Sequence, residues 1–297
     1  MSQDVFDLVD DSAYQRWRSE KLDHYPGDAG VLMVALQSAE PSRDELLQLA
    51  AHCDRANMAF YRLPAGDAGD KSFLRQIAAG LGLQQLDDNL CADEDSITSL
   101  QVVDSGRHAG YIPYSNKPLS WHTDGYYNSP GQQIHAIAMH CVRPAAKGGE
   151  NLLLDHEIAY IQLRDENPDY IRALQRANAM TIPANIEAGK MIRPAETGPV
   201  FSLEKHGGHL HMRYSARTRN IEWFDDVLTR EAVDCLNSLL SENNPYVFRY
   251  RLNTGEGIIC NNVLHNRSGF TDADDEDLKR LLYRARYFDR VKRPSGW

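Results

Sequence analysis

The stretch "YVFRYRLNTGEGIICNNVLHN", Tyr246 to Asn266, decides the fold. Two β-rich runs flank Asn253-Thr254-Gly255, a pattern that predicts a hairpin. The second run ends at His265, so an imidazole is expected at a strand end, where a barrel would have its mouth. Other segments repeat the β signal. "QQIHAIAMHCVRPA" (132–145) alternates and is long enough for a core strand, and "SITSLQVVDSG" (96–106) reads as a strand. "FSLEKHGGHLHMRYS" (201–215) predicts a second hairpin with Gly207-Gly208 at its turn. In "LKRLLYRARYFDRV" (278–291) the alternation of aromatics and arginines favours strand over helix.

Helical patterns surround these runs. "SRDELLQLAAHCDRANMAFYRL" (42–63) predicts a helix capped by Ser42 with Glu45 three residues on, then a strand. "DKSFLRQIAAGLGL" (70–83) predicts a helix stopped by glycine. "GGENLLLDHEIAYIQL" (148–163) runs from a glycine turn through a strand into a helix, and residues 157–192 read as mostly helical and polar. "TREAVDCLNSLLSEN" (229–243) predicts an amphipathic helix capped by Thr229. Short strands under helical cover, with no βαβ rhythm, imply a mainly β sandwich or jelly roll with flanking helices rather than a doubly wound sheet. The simplest division is one catalytic domain over 1–297, with a helix-rich part at 1–99 packed on a core at 100–290 that carries a helical insertion around 157–192.

Composition narrows the class. The 297 residues are 42% apolar and 25% charged, an ordinary globular balance. A net charge of −10 argues against a nucleic-acid-binding surface. No run of 18 apolar residues predicts a membrane span, and the acidic N-terminus lacks a signal-peptide core. Five dispersed cysteines without a C-x-x-C pair read as reduced, buried thiols, and the expected location is cytoplasmic.

The chemistry sits in "SWHTDGYYN", Ser120 to Asn128. On a strand, residues two apart share a face, so His122 and Asp124 aim an imidazole and a carboxylate at one point. A metal would use that pair, and so would an ordinary hydrogen bond. His265 is the best third ligand. Two histidines and one carboxylate leave three positions open on iron(II), as a non-haem oxygenase requires. Beyond His265, "KRLLYRARY" places Arg280, Arg284 and Arg286 at even spacing on one predicted strand face. An arginine fork grips a carboxylate in bidentate fashion.

"HTD", "GGEN" about 25 residues later, "NNVLHNRSGF" and "RLLYRARY" occur in an order that resembles the taurine dioxygenase and γ-butyrobetaine hydroxylase superfamily, over roughly residues 100–290. The resemblance implies an iron(II)- and 2-oxoglutarate-dependent oxygenase on a double-stranded β-helix of jelly-roll, cupin-like form. His122, Asp124 and His265 would hold iron. Arg280 would clamp the distal carboxylate of 2-oxoglutarate. Arg284 would stand near its C1 carboxylate or the substrate's own anion. Asn151 would hydrogen-bond the cosubstrate. The acidic insertion "DADDED" (272–277) lengthens the spacing between His265 and Arg280, with Arg286 as the reserve clamp. Dioxygen is the second cosubstrate, succinate and carbon dioxide are the co-products, and an intact Asp124 favours hydroxylation over halogenation.

Several residues are candidates for the substrate itself. Trp121, Tyr126 and Tyr127 flank the metal motif and could cage a quaternary ammonium, or simply pack the barrel wall. "YIPYSNKPLS" (111–120) reads as a lid loop offering Tyr114 and Asn116. Arg213 shares a face with His209 and His211 and could meet an anionic group. His206, His209 and His211 lack a carboxylate or cysteine to complete a second metal site, and His135 and His140 read as hydrogen-bonded core histidines. The expected activity is hydroxylation of an unactivated C–H bond of a small polar metabolite: an amino acid, betaine, sulfonate or phosphonate. A desaturase or ring-forming oxidase would use the same iron site. A zinc hydrolase or lyase would use the same ligands but has no need of the arginine clamp. A silent β-barrel binding module would lack a ligand, and none is lacking. The partners expected are a small-molecule substrate and, by the resemblance, a second copy in a homodimer, with neither nucleic acid nor membrane.

Overall fold

The computed structural model describes residues 3–88, 96–103, 112–204, 207–217 and 221–294. Contacts divide the chain into two compact units. One comprises Met1–Tyr25, Trp121–Gln133 and Leu154–Val247; the other comprises Pro26–Ser120, Ile134–Leu153 and Phe248–Trp297. No helix among the described residues is long and apolar enough to cross a membrane.

The second unit holds most of two sheets with strands β1–β10. These are β1 (Met33–Ala35), β2 (Met58–Arg62), β3 (Thr98–Leu100), β4 (Leu119–His122), β5 (Ala136–Arg143), β6 (Asn151–Leu154), β7 (Phe248–Tyr250), β8 (Glu256–Cys260), β9 (Leu264–Arg267) and β10 (Leu281–Tyr287). Trp121 and His122 at the end of β4 and Leu154 at the end of β6 belong to the first unit. The larger sheet has the order β1-β2-β8-β5-β10-β3, antiparallel except for β1–β2. The smaller has the order β7-β6-β9-β4.

The period-2 pattern explains the faces of the larger sheet. Ala59, Tyr61, Ala136, Ala138, Ile259, Ala285 and Tyr287 join a core with Leu49, Cys53, Phe73, Leu74 and Ile77 of helices α2 (Arg43–Ala56) and α3 (Lys71–Gly80). The alternate residues Phe60, Ile137, Met139, Ile258 and Cys260 line a cavity, with Asn151, Leu153, Tyr250 and His265 of the smaller sheet opposite. The predicted capping box closes α2: Ser42 Oγ accepts from Glu45 N, and Glu45 Oε2 accepts from Ser42 N. His140 is the satisfied core histidine expected, with Nδ1 3.0 Å from Tyr61 Oη and Nε2 2.6 Å from Ala68 O. Gly69 packs so closely on that imidazole that a Cβ there would stand 2.5 Å from Nε2.

One expectation fails where the reading began. β7 and β8 flank the Asn253–Gly255 turn but do not pair with each other. β7 pairs with β6, whereas β8 pairs with β2 and β5. The turn therefore carries the chain from one sheet to the other. Gly255 (φ +77°) donates to Cys141 O and accepts from Leu63 N, both outside the turn. Turn chemistry specifies a reversal of direction but not the partner across it.

The first unit holds α1 (Asp11–Asp23), α4 (His156–Glu166), α5 (Pro168–Leu174) and α6 (Val227–Leu239). Residues 157–192 are helical only as far as Leu174. Met180–Ile182, Asn185–Glu187 and Lys190–Arg193 are strands, the first of them central between Glu196–Gly198 and Glu222–Trp223. The polar character of that segment hid strands with little core to bury. The start of α6 also differs: its cap is Asp226, whose carboxylate accepts from Thr229 N, so Thr229 lies inside the helix. Phe201–Leu203 and Leu210–Met212 form the hairpin predicted there.

Candidate metal and cosubstrate site

In the first unit the motif is held by an extended neighbour. Thr123 N donates to Tyr214 O (3.0 Å) and Ala216 N to Trp121 O (2.8 Å), so His122 stands opposite Ser215. Gly125, with φ +67°, then turns the chain. His122 and Asp124 are buried, and Nε2 lies 3.4 Å from Oδ1, so the two side chains share a face. Two donors about 2.1 Å from one metal at right angles are about 3 Å apart, so this pair suits adjacent coordination positions. Tyr126 packs edge-on to His122 (6.5 Å) and to Tyr127 (5.2 Å). Arg193 lies over the Tyr127 ring, at 5.9 Å. That guanidinium takes a face a quaternary ammonium would need. Trp121 is buried.

Arg213 has a different task from the one its position suggested. It donates from Nε to Tyr126 O (2.7 Å), from Nη1 to Met180 O (3.2 Å) and from Nη2 to Glu196 O (2.7 Å). Burial lowers its pKa to about 10. It is a staple between the metal-motif turn and two strands, with one donor on each guanidinium nitrogen committed to a carbonyl. His206 and Arg219 lie outside the described residues. Among the described residues His209 and His211 join no set of three metal ligands.

In the second unit, His265 is buried on β9, and its Nδ1 lies 2.9 Å from Val263 O. With its proton on Nδ1 donated to that carbonyl, the ring would offer Nε2 as its metal-ligating atom. Asn151 opens β6 after the Gly148-Gly149 turn. Only glycine fits at 148, where a Cβ would stand 2.3 Å from Gly269 O. Asn151 Nδ2 donates to Asn266 O (2.7 Å), and Leu152 N donates to Asn266 Oδ1 (3.0 Å). His265 and Asn151 line the same cavity.

The three arginines have separate fates. Arg280 is 3% exposed, and its guanidinium carbon sits 4.9 Å from the Phe270 ring centroid. Its backbone N–H donates to Asp272 Oδ1 (2.8 Å), but among the described residues Nη1 has no hydrogen-bond partner and no carboxylate pairs with the side chain. Burial pulls its pKa down to about 10. A strand irregularity at Leu281/Leu282 separates it from Arg284 and Arg286. Arg284 stands opposite Met139 and Arg286 opposite Ile137, so both face the cavity side of the sheet. Arg286, however, is ion-paired with Asp87.

Of the lid candidates, Tyr114 is buried and Asn116 exposed. The sequence reading missed Arg267. It is buried two residues beyond His265, and it donates to Ser115 O (2.8 Å) and Lys117 O (2.5 Å). The period-2 logic that joined His122 to Asp124 would have singled it out.

Comparison with known proteins follows the same lines. The family described as "Taurine catabolism dioxygenase TauD, TfdA family" matches residues 35–286. A uridine-5'-phosphate dioxygenase from a Streptomyces species is 30% identical over 212 residues, 69% of this chain and 74% of that protein. A protein of the same name from an Amycolatopsis species is 29% identical over 186 residues, 61% of this chain and 64% of its own length. Among solved structures, asparagine oxygenase in complex with Fe(II), 3-hydroxyasparagine and succinate superposes with a TM-score of 0.58 at 15% identity, covering 97% of this chain and 92% of that one. The non-haem iron oxygenase OrfP with Fe and α-ketoglutaric acid gives 0.59 at 16% identity, covering 84% and 79%.

Proposed function

Since this chain belongs to the taurine catabolism dioxygenase TauD, TfdA family and is an iron(II)- and 2-oxoglutarate-dependent dioxygenase, we propose that it hydroxylates an unactivated C–H bond of a small anionic metabolite, with succinate and carbon dioxide as co-products. The two sheets of the second unit are read as the double-stranded β-helix core. His122, Asp124 and His265 are assigned to the metal, and what supports this is that His122 and Asp124 share a face in the first unit with Nε2 and Oδ1 3.4 Å apart, while His265 in the second unit is buried with Nδ1 turned to Val263 O. The donor set of two imidazoles and one carboxylate suits iron(II) and leaves positions for a bidentate oxo-acid and dioxygen. Bound iron supplies the activation of dioxygen that C–H oxidation needs.

The observation that carries the cosubstrate assignment is Arg280. A buried guanidinium with, among the described residues, an unmet N–H and no carboxylate partner is costly unless an anion arrives to complete it. The distal carboxylate of 2-oxoglutarate would fill that place. Arg284 and Asn151 stand as second contacts, and Arg286 is excluded as the clamp because Asp87 already pairs with it. A zinc hydrolase would leave the Arg280 cation with no role. The relatives named for uridine 5'-phosphate make a nucleoside monophosphate the first substrate to test, ahead of amino acids, sulfonates and phosphonates.

The test is succinate release from 2-oxoglutarate, with iron(II) and ascorbate, across such a panel in air and under anaerobic conditions. The proposal requires oxygen-dependent succinate and a product heavier by one oxygen. Loss of two hydrogens would identify a desaturase or ring-forming oxidase. Oxygen-independent turnover would overturn the oxygenase reading.

A further inference from the structure

We propose that Arg267 is a positioning residue for the metal site: it straps residues 113–117, the segment that runs into His122, to the strand that carries His265. The inference rests on the reading that both histidines are metal ligands.

Three alternate carbonyls of one short segment converge on one guanidinium. Nη2 donates to Ser115 O (2.8 Å) and Lys117 O (2.5 Å), and Nη1 reaches Pro113 O at 3.5 Å. Arg267 is 5% exposed, and no carboxylate pairs with its side chain among the described residues. Packing alone would not call for a cation here, because an apolar side chain avoids the cost of burying a charge. A planar fork with fixed donor directions is what carbonyls at fixed spacing need, and only arginine supplies it.

The surrounding contacts reinforce the strap. Phe270 N donates to Asn116 O (3.1 Å), the carbonyl between the two that Nη2 takes. The Phe270 ring lies 4.9 Å from the Arg267 guanidinium.

The positions in sequence give the strap its consequence. Lys117 precedes His122 by five residues, and Arg267 follows His265 by two. Loosening the strap therefore shifts the lead-in to one ligand against the strand of the other. Such constellations tolerate displacements of only about 0.5 Å.

The experiment compares Arg267→Met, Arg267→Lys and Arg286→Met with the native protein. It measures affinity for Mn²⁺ alone by calorimetry and amide exchange across residues 112–122 by mass spectrometry. Arg267→Met should weaken Mn²⁺ binding roughly 10–100-fold, the range for outer-shell partners of metal ligands, and speed exchange at 113–117. Arg267→Lys, with charge but no fork, should fall between. Arg286→Met loses a buried ion pair elsewhere and should bind Mn²⁺ as the native chain does, which separates positioning from general destabilisation. Native affinity in Arg267→Met would overturn the proposal. Should that variant fail to fold, Arg267→Lys decides it by the same measurement. A native protein that binds no Mn²⁺ would instead overturn the ligand assignment beneath it.

Discussion

The guanidinium carbon of Arg280 lies 4.9 Å from the centroid of the Phe270 ring, and among the described residues its Nη1 has no hydrogen-bond partner. The ring holds one face of the cation, which leaves the in-plane donors for an anion. Arg280→Leu should therefore raise the KM for 2-oxoglutarate by about 30- to 700-fold, equivalent to about 2–4 kcal/mol for a stranded buried charge. KM for the organic substrate should change far less. Succinate release titrated against 2-oxoglutarate, and separately against the organic substrate, measures both, and an unchanged KM for 2-oxoglutarate would move the clamp to Arg284.

Arg286 gives the opposite expectation. Its partner is Asp87, and both side chains are largely buried. Arg286→Met strands that carboxylate and should cost about 3–5 kcal/mol of stability. Urea denaturation should show the loss, while KM for 2-oxoglutarate stays at its native value. A shifted KM with unchanged stability would mean that Arg286 serves the cosubstrate after all.

The contrast between these arginines marks the limit of what the sequence shows. Residue type and period placed Arg280, Arg284 and Arg286 on one strand; Arg284 and Arg286 lie on it, but it begins at Leu281 and Arg280 stands just before it. Which of them has an internal counter-ion depends on Asp87, some 200 residues away, and no local pattern records that. The same holds for Arg213, whose three carbonyl acceptors come from three separate segments. His122 and Asp124 were legible because their relation is local: two positions apart on extended chain. The Asn253–Gly255 turn was only half legible. Its reversal is local, but the choice of β6 rather than β8 as the partner of β7 is set by tertiary packing.

Metal removal gives a prediction that needs no substrate. A metal that binds only the folded chain stabilises it by about 2.7 kcal/mol at a hundred times its Kd. For a chain of this size that is a rise in Tm of roughly 5 °C. Thermal melts with Mn²⁺ and with chelator should differ by this order, and His122→Ala should abolish the difference. A variant that still gained the full shift would remove His122 from the ligand set.

Lys21 gives the sharpest pH prediction. Its Nζ lies 2.7 Å from Asp155 Oδ2 and 2.6 Å from Glu157 Oε2, with all three side chains almost fully buried. Burial opposes the lysine's charge, but Asp155 and Glu157 outweigh it and raise the pKa above the ordinary 10.5. A base with a raised folded pKa adds stability that is complete below its unfolded pKa and is lost as pH climbs through the folded one. The native chain should therefore hold its denaturation midpoint through neutral pH and lose this contribution only in the alkaline range. Lys21→Met should cost about 3–5 kcal/mol at pH 8, because two buried carboxylates lose their cation. Urea midpoints of both proteins from pH 7 into the alkaline range check the sign: the gap between them should narrow as pH climbs through the folded lysine's pKa. A gap that stayed constant across that range would show that Lys21 contributes packing alone.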